Sequence, residues 1–265
     1  MEIIDILGYF GALLIGVTLG LIGGGGSILT VPVLVYLLSI NPVTATAYSL
    51  FVVGSSSLIG AINNMKKKLV DFRTAIVFAI PAFIAVYGTR KYLVPAIPEH
   101  IFTISGFEVT KHIGIMLFFA LIMVVASISM IKGNGKQETQ EDKVKYNYPL
   151  IIIEGIVVGI LTGIVGAGGG FLIIPALVLL AKLPMKKAVA TSLLIIAVKS
   201  LIGFIGDVEN QEIDWMFLSI FTGLSIAGIF LGGYLNKFID GGKLKKGFGW
   251  FVLVMGIYII GKELL

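Results

Sequence analysis

The chain has no cysteine, so a disulfide framework, a thiol nucleophile and a thiolate metal site are all excluded. It has two histidines, His100 and His112. Neither has a paired carboxylate or a second ligand at metal spacing, so neither a histidine-based hydrolase nor a metal centre is expected. Charged residues make up 13% of the sequence, about half the share found in ordinary soluble domains. That is too little charge to solvate the surface of a water-soluble fold. The opening Met1-Glu2-Ile3-Ile4-Asp5 lacks the basic segment of a signal peptide, so the first apolar stretch is expected to stay in a membrane.

What is abundant is apolar sequence. Apolar residues make up 57% of the chain and the mean hydropathy is +1.02, which places it in a lipid bilayer. Long apolar stretches recur at 3–22 (interrupted by Asp5), 44–62, 74–89, 113–131, 155–181, 188–198, 215–235 and 247–261. Most approach the roughly 20 residues that a spanning helix needs. They are continuous rather than alternating, which points to α-helices and not to a lipid-facing β-barrel.

The net charge of +5 is distributed by loop. Basic residues crowd into four connections: Lys66, Lys67, Lys68 and Arg73; Lys132, Lys136, Lys143 and Lys145; Lys182, Lys186 and Lys187; and Lys237, Lys243, Lys245 and Lys246. The positive-inside rule makes all four cytoplasmic. The 207–214 connection carries Asp207, Glu209, Glu212 and Asp214 with no basic residue, and Pro95-Ala-Ile-Pro98-Glu99-His100 has no lysine or arginine, although Arg90, Lys91 and Lys111 lie near it. Those two are expected outside. Topology thus accounts for the positive charge, and no nucleic-acid partner is implied.

The sequence also repeats itself. Gly16-Val-Thr-Leu-Gly20-Leu-Ile-Gly23-Gly24-Gly25-Gly26, followed by Pro32, returns as Gly159-Ile-Leu-Thr-Gly163-Ile-Val-Gly166-Ala167-Gly168-Gly169, followed by Pro175. The prolines set the offset at 143 residues, and without a gap it also pairs Ala45, Ala47, Ser49 and Asp71 with Ala188, Ala190, Ser192 and Asp214. The basic loop at 63–73 then aligns with the acidic loop at 206–216, so the second half is expected to be inverted relative to the first. Inversion requires an odd number of crossings per half, either five or three plus a re-entrant hairpin folded at the glycines. The segments after the glycine runs, 27–39 and 170–181, reach roughly 20 Å as helices, short of the hydrocarbon core. The polar stretch from Lys132 to Lys145 has the composition of a cytoplasmic tether. The expected organisation is therefore a first transmembrane repeat over 1–131, a linker over 132–147 and a second repeat over 148–265.

The candidate binding residues follow from this frame. Gly23, Gly24, Gly25 and Gly26, with Gly166, Gly168, Gly169 and Gly170, permit unwound backbone at membrane depth, and a helix that starts there presents amide N–H groups and a positive dipole end to an anion. The plainer reading is close helix packing, as in Gly16-x-x-x-Gly20 and Gly159-x-x-x-Gly163. A P-loop ending is absent. Lys199 lies well inside the 188–206 helix, where a lysine is costly and marks a substrate or ion pathway unless it snorkels to an interface. Ser192 shares its face, and the first-half counterparts of the pair are Ser49 and Ser56. Ser55-Ser56-Ser57 and Thr191-Ser192 offer further donors, or simply satisfy their own helix backbone. Asp71 and Asp214 read as helix N-caps, with proton coupling as the alternative. Glu154 is a group that could titrate in a transport cycle. Pro32, Pro175 and Asn41-Pro42 read as helix starts.

At the paired motifs Gly20-Leu-Ile-Gly-Gly-Gly-Gly-Ser-Ile-Leu-Thr-Val-Pro32 and Gly163-Ile-Val-Gly-Ala-Gly-Gly-Gly-Phe-Leu-Ile-Ile-Pro175, with Ala45-Thr-Ala-Tyr-Ser49 and Ala188-Val-Ala-Thr-Ser192, the chain resembles the TauE/SafE sulfite exporter family. The resemblance spans essentially the whole chain. It implies a multi-pass permease of the prokaryotic cytoplasmic membrane for a small anion such as sulfite or an organosulfonate, coupled to an ion gradient of H+ or Na+. No cofactor is implied. The expected fold is an all-α integral membrane protein in which broken or re-entrant helices from two inverted repeats meet near the midplane. A cation or metal permease and a membrane-embedded enzyme are the alternatives. The first would call for midplane aspartate, glutamate or histidine, and the second for a nucleophile with a base at hand.

The inverted topology carries a direct test in this cysteine-free chain. Single cysteines at Lys67 and Gln211 should react with an impermeant reagent from opposite sides of the membrane. Labelling from the same side would refute the inversion.

Overall fold

The computed structural model describes residues 3–24, 26–93, 96–98, 100–104, 107–132, 148–165, 170–208 and 212–264. Gly25, Gly166, Gly168, Gly169 and nearly all of the 132–147 linker lie outside the described residues. The first half builds α1 (Ile3–Ile22), α2 (Gly26–Pro32), α3 (Pro42–Lys66), α4 (Phe72–Gly88) and α5 (Lys111–Lys132). The second builds α6 (Tyr148–Val165), α7 (Gly170–Pro175), α8 (Met185–Val208), α9 (Trp215–Leu235) and α10 (Gly241–Leu264). Five described helical segments, Thr44–Lys66, Phe72–Leu93, Met185–Ile205, Trp215–Phe238 and Gly242–Leu264, are long and apolar enough to cross a membrane. Among the described residues the chain is all-α apart from one hairpin. In the loop expected outside, β1 (His100–Ile104) pairs antiparallel with β2 (Phe107–Thr110), which the absence of alternation in the long apolar runs did not anticipate.

The 143-residue offset holds in local structure as well as in sequence. α2 ends in a π turn over Val33–Leu37 and α7 in one over Ala176–Leu180, and Ser39 and Lys182, which follow them, adopt φ of +54° and +55°. Asp71 caps α4 by accepting a hydrogen bond from the Thr74 N–H at 2.9 Å, and Asp214 caps α9 through the Phe217 N–H at 3.0 Å. Both aspartates are therefore N-caps. Pro42 opens α3. Pro32 and Pro175 are the last residues of α2 and α7, not helix starts. A proline there removes an N–H and crowds the carbonyl four residues back, and the helix continues as a wider π turn.

The first two helices form a hairpin. Side chains built on Gly26, Gly11 and Gly8 would meet Leu19, Val33 and Leu38 respectively, so α2 and its π turn run back along α1. Three further helices, α3, α4 and α5, complete the first half. α6 and α7 occupy the same places in the second half.

Each of the eight long helices makes its most extensive contacts with the other half: α1 with α9, α4 with α6, α3 with α8 and α5 with α10. The first two pairs depend on glycine. Gly16 meets the Ser225 carbonyl and Gly228, and Gly20 meets the Ile229 carbonyl and Gly232. A Cβ on Gly155 would lie 2.6 Å from the Phe78 carbonyl oxygen, and one on Gly163 would lie 2.8 Å from Thr89 Cβ. Contacts advance along both chains together, so these pairs are parallel. α3 and α8 are antiparallel instead, with Gly54 beside Leu201, Gly60 beside Leu193 and Phe51 against Phe204 at 4.9 Å between ring centroids. α5 and α10 are antiparallel too, since Gly249 faces Met130 and Ile131 while Gly256 faces Ala120 and Val124.

Phe78 and Phe221, equivalent in the repeat, are fully buried between these helices. On the outside, α4 presents Ile76, Ile80, Ile84 and Tyr87 at helical spacing. Such an apolar stripe suits lipid rather than water. At one end of the bundle the Lys67 pKa is lowered, chiefly by burial and then by the like charge of Lys237, so two of the basic connections share a side.

The α9 glycines separate packing from propensity. Gly232 meets the Val17 carbonyl, whereas a Cβ on the adjacent Gly233 has nothing within 4 Å. Gly232→Ala is expected to destabilise by about 1–3 kcal/mol through overpacking, while Gly233→Ala is neutral or slightly stabilising. Thermal unfolding in detergent checks this, and equal midpoints for the two variants would contradict it.

Candidate functional site

The first glycine break is held against the other half. Gly23 is buried with φ +83°, a conformation that glycine adopts without strain. A Cβ there would lie 2.6 Å from Ser192 Oγ and 3.0 Å from the Val189 carbonyl oxygen of α8. The Gly23 N–H still bonds the Leu19 carbonyl at 2.7 Å, whereas Ser27 Oγ donates to the Gly24 carbonyl at 2.7 Å and ties the break to α2. The second break comes to the same place. A Cβ on Gly170, where α7 starts, would lie 2.6 Å from Ile196 Cδ1 and 2.8 Å from Gly24 Cα. The starts of α2 and α7 thus meet almost backbone to backbone, with α8 beside both.

One face of α8 carries the polar residues. Ser192, Ile196 and Lys199 follow at helical spacing, the first against Gly23 and the second against Gly170. Lys199 is 7% exposed, and its Nζ donates to Thr162 Oγ1 at 2.8 Å. It therefore stays inside the bundle and does not snorkel. Thr162 is in the last turn of α6, just ahead of the second break, and its hydroxyl lies 3.3 Å from the Gly159 carbonyl.

The hydroxyls divide into engaged and unengaged groups. Ser192 Oγ donates to the Val189 carbonyl at 2.9 Å, and Ser56 Oγ to Ser225 Oγ at 3.0 Å. Thr191 Oγ1 accepts from the Asp71 N–H at 3.0 Å, and Tyr48, its repeat equivalent, accepts from the Asp214 N–H at 2.8 Å. Thr191 is therefore part of the clamp between halves. Ser49, Ser57 and Ser200 are buried with hydroxyls that have no partner among the described residues. Ser57 and Ser200 are repeat equivalents on the antiparallel α3 and α8. Ser55 is half-buried. Glu154 on α6 is buried, and neither carboxylate oxygen has a hydrogen-bond partner among the described residues. His100 lies in the hairpin, its Nε2 2.9 Å from Thr103 Oγ1, far in sequence and fold from these groups.

Thr162 was not singled out by its type. The signal that could have found it is asymmetry: it stands where the first half has Leu19, as Lys199 stands where the first half has Ser56.

Set beside known proteins, residues 9–259 match the family described as Sulfite exporter TauE/SafE. A probable membrane transporter protein of Xylella fastidiosa (strain 9a5c) is 30% identical over 256 residues, covering 94% of this chain and 92% of the relative. The probable membrane transporter protein YunE of Bacillus subtilis (strain 168) is 29% identical over 263 residues, with the same two coverages. A probable membrane transporter protein of Methanocaldococcus jannaschii is 36% identical over 117 residues, 42% of this chain. No solved structure matches.

The Gly23 site yields a two-step test. Gly23→Ala should destabilise by about 1–3 kcal/mol, because it combines a positive φ with a clash. Adding Ser192→Ala removes the Oγ clash but not the backbone strain, so it should restore part of the loss. Thermal unfolding of the single and double variants decides, and full additivity of two losses would contradict the contact.

Proposed function

The chain belongs to the sulfite exporter TauE/SafE family and is a membrane transporter, and from that premise we propose that it carries a small anion, sulfite or an organosulfonate, by alternating access. The binding site is the place where the two glycine breaks meet. The observation that carries the reading is a buried lysine beside that meeting point, since an intramembrane charge of this kind marks a substrate path. Lys199 supplies charge, the amides around Gly23–Gly26 and Gly166–Gly170 supply donors, and Ser49, Ser56 and Ser192 supply hydroxyls. Thr191 and Ser192 set the spacing between breaks as much as they offer donors, given their present hydrogen bonds.

The two repeats, 1–131 and 148–265 with the linker at 132–147, are inverted in this reading. The helix directions support it: α3 and α8 are repeat equivalents and run antiparallel, and α1 and α3 share the direction of α9 while α6 and α8 share that of α4. An inverted pair built around a midplane site can open to either side by rocking of one half against the other. The chain sits in the cytoplasmic membrane, with the basic loops inside.

Lys199→Met removes the charge at similar length, and Lys199→Arg keeps it in a larger, planar form. The methionine variant is expected to weaken ethanesulfonate and sulfite binding by at least tenfold in detergent, while the arginine variant retains part of the affinity. An unchanged dissociation constant for Lys199→Met, in protein that remains monodisperse, would remove the lysine from the site.

A further inference from the structure

Glu154 has no role in the binding site just described, yet with Lys199 it is one of the two buried charged residues among those described. It is 4% exposed, and both carboxylate oxygens lack a hydrogen-bond partner among the described residues. A buried carboxylate left unpaired is costly when ionised. Its repeat equivalent is Gly11, so the group is an addition to the second half alone. The same is true of Lys199, which replaces the equivalent of Ser56, and of Thr162, which replaces the equivalent of Leu19. All three departures from the repeat lie on α6 and α8. Thr162 follows Glu154 by eight residues, about 12 Å along the helix, and Lys199 Nζ is 2.8 Å from Thr162 Oγ1.

Among the described residues, the other elements packed on α6 bring no buried charge to the level of Glu154. α4 carries Arg73, exposed near its start, and Tyr87 near its end. The π turn after α4 carries Arg90, Lys91 and Tyr92, level with the far end of α6. On α5 the titratable residues are Lys111, His112 and Lys132, at its two ends. α7 and its π turn carry none. Lys199 is the other buried charged residue among those described, and the one that an anion in the proposed site would neutralise.

Resting on the proposed anion site at Lys199, we propose that Glu154 is the coupling residue of the transporter and takes up a proton when the anion binds. In the empty site the ammonium of Lys199 and the carboxylate of Glu154 balance. A monoanion bound at Lys199 cancels the ammonium charge, and the carboxylate is then an uncompensated negative charge in the interior. One proton from water converts it to the neutral acid, so that anion, ammonium and carboxylic acid again sum to zero. At an effective dielectric of about 20, removing a unit charge at a separation on the order of that 12 Å rise changes a proton-binding equilibrium by about tenfold. The sign follows: the anion raises the proton affinity of Glu154, so by reciprocity protonation tightens the anion, and affinity falls as pH rises. Anion and proton therefore move together in the same direction.

Ethanesulfonate is the probe, because its sulfonate stays ionised from about pH 5 to about pH 9. With the full chain in detergent, wild-type affinity should be about tenfold weaker at the upper limit than at the lower. In weakly buffered solution, binding should draw protons from the medium. Glu154→Gln, neutral and of the same shape, should bind with an affinity independent of pH and without proton uptake. Binding to wild type with no proton uptake at any pH in the range overturns the proposal without recourse to a variant. So does a Glu154→Gln protein that keeps the wild-type pH profile. Failure of the underlying site reads differently: Lys199→Met would then bind as wild type does. If wild type does not bind ethanesulfonate at all, both proposals fall.

Discussion

Lipid gives helices no hydrophobic reason to associate, because a neighbouring acyl chain is as apolar as a neighbouring leucine. What holds this bundle is close approach of backbones through residues that lack side chains. Gly16 and Gly20 lie against the carbonyls of α9, and Gly155, Gly159 and Gly163 lie against α4. These contacts join one half of the chain to the other, so the halves are not separate bodies but two interlocked frames. The site depends on that interlock. With α1 seated on α9, its C-terminal break reaches α8, where Gly23 leaves room for Ser192 and Gly24 meets Gly170. A methyl group at the α1–α9 contact would lift the break away from the partner it needs.

The frame is symmetric, but its chemistry is not. Caps, π turns and positive-φ residues recur at the same offset, which is what a duplicated unit requires. Lys199, Thr162 and Glu154 break that pattern, and they do so on two helices of one half. A symmetric bundle can present a site to either side of a membrane. In the proposed mechanism, a charge present in one half only, with an acid on the neighbouring helix, lets the site prefer an anion and couple its binding to a proton.

The repeat, the N-capping aspartates, the burial of Lys199 and the small-xxx-small packing of Gly16 and Gly159 could be read from the sequence, because each is a pattern local to a segment or a fixed offset. The partners could not. A glycine contributes to packing by what it lacks, so Gly16 carries no mark of whether it will meet α4, α9 or lipid. The prolines were misleading for a related reason: proline tolerates a helix start, and nothing in Pro32 or Pro175 alone distinguishes that from the switch to a π turn. Nor could the sequence show that the Thr191 oxygen accepts the Asp71 amide across the interface between halves. Thr162 became visible only once Lys199 had a direction in space.

The account stands or falls on where the anion sits. Crystals of the full chain grown with 2-bromoethanesulfonate, a sulfonate that carries an anomalous scatterer, would locate it directly. The account predicts the sulfonate within hydrogen-bond distance of Lys199 Nζ, between the starts of α2 and α7, with the bromine peak adjoining it. A bromine peak elsewhere, or sulfonate density with Lys199 still bonded to Thr162 and no contact to the glycine breaks, would contradict it.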